Sequence, residues 1–292
     1  METVNLPIDL LRTFVTVIDL GGYTRAAEVL HRTQPAISLQ MRRLEELLGR
    51  PLLWFEGRTL RLTESGETLA IHARRLLHIN DEVVAAFAGA KATGALRVGL
   101  PTDFAVAFLQ ETISDYARRN PLTTFEITCD LSSRIRDLLH RNELDMAVAI
   151  LDPGSNPYLV RVWEEQPIWA ASRDHPIDPT LPVPLATHPE GCEYRRRMIS
   201  ALRSVGRDWR IAYTNPGIAE LQKAVASGIG VTALTRKTLL ADMRVLSPDE
   251  NFPTLEKIAI GLFYKHSRLS TAGRGLVGDL IAGLDHAATP RP

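Results

Sequence analysis

The first fifty residues are punctuated so closely that only short helices with tight reversals can be built from them. Leu10, Leu11, Phe14, Val15, Val17 and Ile18 recur at helical spacing between Asp9 and Leu20. Gly21-Gly22 then stops that helix, because glycine adopts the left-handed backbone of a helix end without steric cost. Thr24 is a suitable N-cap for a short helix from Arg25 to about His31, and its Ala26-Ala27 pair is small enough to let another helix approach closely. Thr33 caps a third helix that has Pro35 in its first turn, where a missing N–H sacrifices no hydrogen bond. That helix runs to Leu48, stops at Gly49, and carries a buried stripe of Ile37, Met41, Leu44, Leu47 and Leu48. Two helices joined by a turn at Arg32-Thr33, behind a leading helix, have helix-turn-helix spacing. Residues 52–55 and 60–62 are strand-like and flank Glu56-Gly57-Arg58-Thr59, which predicts a two-stranded wing.

A single long helix follows, from 63 to about 92, with Thr63 as its cap. Leu69, Ala73, Leu76, Asn80, Val83, Phe87 and Ala90 repeat at 4,3 spacing, a coiled-coil stripe of about three heptads. The expectation is dimerisation through this helix, with Asn80 fixing the register. The alternative is a lone helix packed on its own domain with Asn80 exposed. Pairing is favoured because nothing near in sequence can cover so long an apolar face.

From Leu96 onward short apolar runs alternate with helical patterns, the mark of α/β units. Strands are expected at 96–100, 125–129 and 145–150, with helices at about 103–119 and 133–141 between them. Residues 152–157 read as a loop, and 160–171 as a strand crossing into a second lobe. That lobe takes helices near 194–205 and 218–227 and strands at 210–214 and 231–234. Residues 257–264 return to the first lobe, 271–286 close the chain as a helix, and 289–292 form a tail. The fold class is therefore α/β multidomain: a winged helix-turn-helix at 1–62, a linker helix at 63–92, and a two-lobed domain at 93–292. Its first lobe spans about 93–161 and 266–288, its second about 162–265.

Lysine plus arginine equals aspartate plus glutamate at 34 each, so any affinity for nucleic acid has to be local. It is local here: residues 24–62 hold seven Arg against four Glu and no Lys. The longest apolar run, 146–151, is far too short for a membrane span, and the N-terminus has no basic segment followed by an apolar core, so a cytoplasmic protein is expected. Cys129 and Cys192 make no disulfide framework. The eight His are scattered, without HExxH or CxxC, and GxSxG, GxGxxG and Walker A motifs are all lacking. Neither an enzyme nor a metal or other resident cofactor is expected.

Three short blocks resemble the N-terminus of LysR-type transcriptional regulators: residues 10–15, Tyr23-Thr24-Arg25-Ala26-Ala27, and Arg32-Thr33-Gln34-Pro35-Ala36-Ile37-Ser38. Arg43-Leu44-Glu45, Leu48-Gly49 and Leu62-Thr63-Glu64-Ser65-Gly66 continue the match over about 60 residues. Asn142-Glu143-Leu144-Asp145 and residues 226–231 extend it more weakly. Pro189-Glu190-Gly191-Cys192, with residues 209–213, looks like the branch of LrhA and HexA, regulators of motility and exoenzymes.

The resemblance implies that Gln34, Pro35 and Ser38 lie in the major groove of double-stranded DNA. Gln34, Ser38 and Arg42 are spaced by four on the outward face, and Gln and Ser can both bond base edges. Thr33 caps the same helix, while Thr24, Arg32, Arg43, Arg58 and Arg61 read as phosphate contacts. For any single Arg, a solvated surface charge is the other reading. Many relatives carry Arg directly after the Ser; this chain has Leu39, so the expectation is that a guanine contact is missing there and apolar contact with thymine methyl groups takes its place.

For the C-terminal half the resemblance implies a fold like a periplasmic binding protein, with a small-molecule effector near helix N-termini in the cleft. Thr102-Asp103, Ser132-Ser133, Asn215-Pro216-Gly217 and Thr232 are the candidate contacts, although each hydroxyl could equally serve as a helix cap, and Asp103 would repel an anion. Cys192 at a helix start could have a lowered pKa, but neither cysteine matches the peroxide-sensing pattern, and Cys129 is expected to end a buried strand. The expected partners are operator DNA, RNA polymerase, a small-molecule effector and further copies of the chain, as a dimer or tetramer, with no membrane. The competing reading is a cytoplasmic small-molecule-binding protein with a vestigial DNA-binding domain, supported by Leu39 and the lack of Lys. Steep salt dependence of DNA binding separates the two.

Overall fold

The computed structural model describes residues 5–88, 94–104, 110–152 and 158–288. It opens with α1 (Ile8–Leu20), α2 (Tyr23–Val29) and α3 (Gln34–Leu48). Gly21 ends α1 with φ 69°, and the N–H groups of Gly21 and Gly22 return to the carbonyls of Ile18 and Val17. Gly49 ends α3 in the same way, with φ 65°. These are the glycine stops expected from the sequence, each satisfying carbonyls that the helix itself cannot. Thr33 caps α3 as expected. Thr24 does not cap α2: the helix starts at Tyr23 behind Gly22, and Thr24 lies exposed within its first turn. The wing is β1 (Leu53–Glu56) paired antiparallel with β2 (Thr59–Leu62), turning at Gly57-Arg58. Tyr23 stacks on Phe55 at 6.4 Å between ring centroids and ties the wing to α2.

Thr63 caps α4 (Glu64–Ala88), its hydroxyl accepting from Gly66 N at 3.0 Å. Gly66 is buried against the wing strand, and a Cβ there would fall inside the van der Waals radius of the Leu52 carbonyl oxygen. Backbone, not a pliable side chain, is what it would strike. Gly66→Ala is therefore expected to lower stability by about 2–3 kcal/mol. Urea denaturation measures this, and a change below about 0.5 kcal/mol would mean the close approach is not rigid.

The first half of α4 belongs to the winged domain. Leu69, Ala70, Ala73 and Leu77 complete a core with Leu11, Phe14, Val15, Ile37, Met41 and Leu44. Leu69 and Ala73, expected on a dimer stripe, are thereby consumed inside their own chain. Only the second half of α4 presents an uncovered apolar row: Leu76, Ile79, Val83, Val84 and Phe87, the last 90% exposed. Asn80 lies in this row, half-buried, and its amide donates to Asp81 at 3.1 Å. Ala90 lies outside the described residues.

The C-terminal half is two α/β lobes. The first sheet has the order β4-β3-β5-β12-β6, made of β3 (Gly94–Leu100), β4 (Thr123–Cys129), β5 (Met146–Ile150), β6 (Leu159–Glu165) and β12 (Ile258–Tyr264). β3 runs parallel to both its neighbours, while β12 pairs antiparallel with β5 and β6. β5 is buried at every position, as its unbroken apolar run requires of a central strand covered on both faces. β4 is an edge strand, and Cys129 at its end is exposed, not buried as expected. The connections are α5 (Thr102–Phe104), α6 (Gln110–Arg119) and α7 (Ser132–His140). Residues 105–109, in the middle of the helix expected at 103–119, and most of the loop expected at 152–157 lie outside the described residues.

The single strand expected at 160–171 is two. β6 stays in the first sheet, Gln166-Pro167 interrupts it, and β7 (Ile168–Ser172) belongs to the second. Pro167 has no N–H to give a ladder, which ends one strand and frees the chain to change direction. Because β6 and β12 both sit in the first sheet, the crossings lie near residues 166 and 257 and not at 161 and 265. The second lobe pairs β7 antiparallel with β10 (Thr232–Leu234) and β11 (Met243–Val245). β8 (Val183–Thr187) and β9 (Trp209–Thr214) run parallel beside them, joined through a bridge from Leu185 to Val231. α8 (Glu193–Ser204) and α9 (Ile218–Ala226) pack on this lobe, and α10 (Thr271–Ala288) closes the first.

The winged domain does not stand apart from the lobes. Arg74 of α4 pairs with Asp19 of α1, both side chains 0% exposed, and Asp19 Oδ2 accepts from Ser267 N at 3.4 Å. Arg12 donates to Asp81 at 2.6 Å and to His266 Nε2 at 3.1 Å. This buried polar junction joins α1 and α4 to the turn between β12 and α10. No expectation from the sequence anticipated it.

Candidate nucleic-acid interface and ligand cavity

α3 buries Ile37, Met41 and Leu44 and turns Gln34, Pro35, Leu39, Arg42 and Arg43 to solvent. Thr33 Oγ1 accepts from Ala36 N at 3.4 Å, which fixes the helix start. Gln34 Nε2 donates to Ser38 Oγ at 2.9 Å, so these two expected base readers hold each other in the free molecule. Arg32 is exposed at the turn before α3, Arg58 at the wing tip and Arg61 along β2. Arg61 pairs with Glu56 at 3.0 Å, but both are more than half exposed, so solvent screens the pair and a phosphate can replace Glu56 at little cost. The expected residues thus lie on three exposed elements of one small domain. Arg25, also exposed, adds a cation to the same domain.

The second site is a cavity of about 430 Å³ between the lobes. Five of the eight expected effector residues line it: Thr102, Asp103, Ser132 and Ser133 from the first lobe and Pro216 from the second. Three do not. Thr232 is 1% exposed within the ladder between β10 and β7. Asn215 Oδ1 accepts from Gly217 N at 2.8 Å, so this pair opens α9 as a local turn and does not line the cavity.

Other lining groups carried no signal in the sequence. Arg136, one turn into α7, reaches the Ile150 carbonyl and the Asp152 carboxylate. Ser132 Oγ accepts from Ile150 N at 3.0 Å and locks the start of α7 to the end of β5. From the other lobe come His188, Glu193 and Tyr194, at and before the start of α8. Two helix N-termini therefore face one cavity from opposite lobes, each with first-turn N–H groups that no helical carbonyl can use.

Four carboxylates share that lining: Asp103, Asp130, Asp152 and Glu193. Asp130 pairs with Arg134 at 3.1 Å, and Glu193 with Arg196 at 2.8 Å and with Arg197. Burial, reinforced by Asp103, raises the Tyr194 phenol well above its ordinary range, so it stays a neutral donor. Burial likewise lifts the Cys192 thiol to about 11, and Asp103 and Glu193 add to it. The position before α8 does not make Cys192 reactive, because desolvation outweighs the N–H groups there. Cys129 is also raised by desolvation. Among the described residues no group of His, Cys, Asp or Glu is placed to hold a metal ion, and no helix is long and apolar enough to cross a membrane.

These two sites fall inside two matched family models. Residues 8–67 match the bacterial regulatory helix-turn-helix protein, lysR family, and residues 89–283 match the LysR substrate binding domain. The chain belongs to the LysR family of DNA-binding transcriptional regulators. It is 34% identical over 269 residues to the HTH-type transcriptional regulator DgdR of Burkholderia cepacia, covering 91% of this chain and 90% of that one. It is 30% identical to PecT of Dickeya dadantii, covering 86% and 79%. Among solved structures, CrgA of Neisseria meningitidis superposes with a TM-score of 0.53 at 20% identity, covering 94% and 99%. DarR of Vibrio fischeri, solved in complex with DNA, superposes with 0.52 at 19% identity, covering 94% and 98%. The relatives are regulators, not enzymes, and the regulator's C-terminal half is their small-molecule effector domain.

Proposed function

We propose that this cytoplasmic regulator reads a two-fold symmetric operator with α3 in the major groove. Gln34, Pro35 and Ser38 meet base edges with Arg42 on the same outward side, while Thr24, Arg32, Arg43, Arg58 and Arg61 hold phosphates and Thr33 fixes the helix start. The observation that carries this reading is the outward face of α3, exposed along its length and bearing Arg42 and Arg43 beside the Arg-bearing wing. Two copies pair through the uncovered row Leu76, Val83 and Phe87, with Ile79 added and Asn80 setting register; two such dimers associate through the effector domains. A small effector in the cavity between the lobes, touching Thr102, Asp103, Ser132, Ser133 and Pro216, changes how the lobes and the winged domain are arranged. DNA bending and contact with RNA polymerase change with it. The turn Pro189-Glu190-Gly191-Cys192 supports placing the regulator in the branch of LrhA and HexA.

The test is fluorescence anisotropy of the purified protein on its own upstream DNA at several salt concentrations, beside a scrambled duplex and a Gln34→Ala, Ser38→Ala double variant. Tight binding to the native duplex that falls steeply with salt, and is weakened at least about tenfold by the double variant, is expected. Equal affinity for native and scrambled duplexes, unchanged by the double variant, would overturn the assignment of α3.

A further inference from the structure

The middle of the α3 recognition face is apolar. Its inward side is marked by Ile37, Met41 and Leu44, all at most 1% exposed. At 3.6 residues per turn the opposite side falls on Pro35, Leu39, Arg42 and Glu46, all exposed, whereas Gln34 and Ser38 lie on one flank. Leu39 is 66% exposed, the most exposed large aliphatic side chain among the described residues. Pro35 sits one turn before it on the same face, and Arg42 and Arg43 follow it. Leu39 contributes nothing to the winged domain's own core. Arg42 and Arg43 make the surroundings attractive to a polyanion and unattractive to an apolar protein partner.

We infer that Leu39, backed by Pro35, reads the 5-methyl group of a thymine in the operator. The major groove offers one apolar group, the thymine methyl, and an aliphatic side chain at the centre of an inserted helix meets it without desolvating any polar atom of its own. The mutual hydrogen bond of Gln34 and Ser38 leaves that centre to Leu39 until a base edge replaces the bond. This rests on the proposal that α3 enters the major groove, and it goes beyond it in naming the base and the atom read.

The experiment separates the two. Duplexes are selected from a randomised pool with the full-length protein, and each thymine of the enriched site is then replaced by uracil, which removes the methyl group and nothing else. Burying one methyl group is worth roughly a factor of four in affinity. One thymine per half-site is expected to show a loss of about three- to fivefold on conversion to uracil. Leu39→Ala should bind the thymine duplex several-fold more weakly and be indifferent to that conversion, and Leu39→Met should keep the preference. Sensitivity to uracil that persists in Leu39→Ala, or that appears at no thymine, overturns the inference about Leu39 alone. Failure to enrich any sequence overturns the operator reading and this inference with it.

Discussion

Asp19→Asn is expected to lower stability by about 3–5 kcal/mol, a large fraction of what holds a domain folded. Arg74 is fully buried, and its Nε and Nη1 already lack hydrogen-bond partners. Asp19 is the carboxylate that neutralises it. Burial raises the Asp19 pKa more than Arg74 lowers it, so the pair is costly to bury even when intact. Removing one partner leaves a charge with no water and no counter-ion. Removing both should not: Asp19→Leu with Arg74→Met is expected within about 1 kcal/mol of the parent, or more stable. Urea denaturation of the three proteins, with amide exchange followed on α1 and α4, measures this. An Asp19→Asn protein within 1 kcal/mol of the parent would show that water reaches Arg74.

The same junction makes the regulator sensitive to acid. Burial lowers His266 to about 4; Asp81 partly opposes this, and Arg12, Arg74 and Arg274 add to it. Nε2 accepts from Arg12, which assigns the proton of the neutral ring to Nδ1, so the short approach to Asp81 is not an ion pair at neutral pH. Above about pH 6.5 both folded and unfolded states are neutral at this site and it contributes nothing. Between 6.5 and 4 the unfolded state binds a proton that the folded state does not, so stability falls as pH falls. The loss amounts to about 2 kcal/mol at pH 5 and about 3 kcal/mol at pH 4. Comparing urea unfolding at pH 7.5 and 5 for the parent and His266→Gln isolates the term. If the variant loses as much stability on acidification as the parent, His266 is not the cause.

Both effects arise where α1, α4 and the turn at His266 meet, between the DNA-reading domain and the effector domain. Under the proposed mechanism, a rearrangement of the lobes that moves this turn acts on α1 and α4, which share a core with α3. The polar groups there are poorly satisfied: besides Arg74, His266 Nδ1, Tyr264 Oη and Ser267 Oγ are buried without a hydrogen-bond partner. Such a network gains less from staying closed than a fully bonded one would.

Local chemistry made much of this molecule legible in advance. Gly21, Gly49, Thr33 and Thr63 each act through their own backbone conformation or one short hydrogen bond, so the bounds of α1, α3 and α4 follow from residues within a few positions. The apolar run of β5 announces a covered central strand. Two short strands, β8 and β11, escaped. Pro184 breaks the strand pattern of β8, although its missing N–H is tolerated beside β9, and β11 has only three residues. At the sites, periodicity gave the buried stripe of α3 and set Gln34, Ser38 and Arg42 on its outward face, whereas the structure exposes Leu47 as well and centres that face on Leu39.

What the sequence by itself determined is most of the local elements, their order, and the helix-turn-helix that marks the family. What only the tertiary structure decided is which faces meet. Leu69 and Ala73 repeat with the same period as Leu76 and Val83, but the first two lie under α1 and the others in the open. Thr232 and Ser132 have similar hydroxyls, but one lies inside a ladder and the other at a cavity. Asp19 finds Arg74 and Ser267 across 55 and 248 residues of chain. Period, capping and turn chemistry act over a few residues, whereas burial depends on what the rest of the chain places on top.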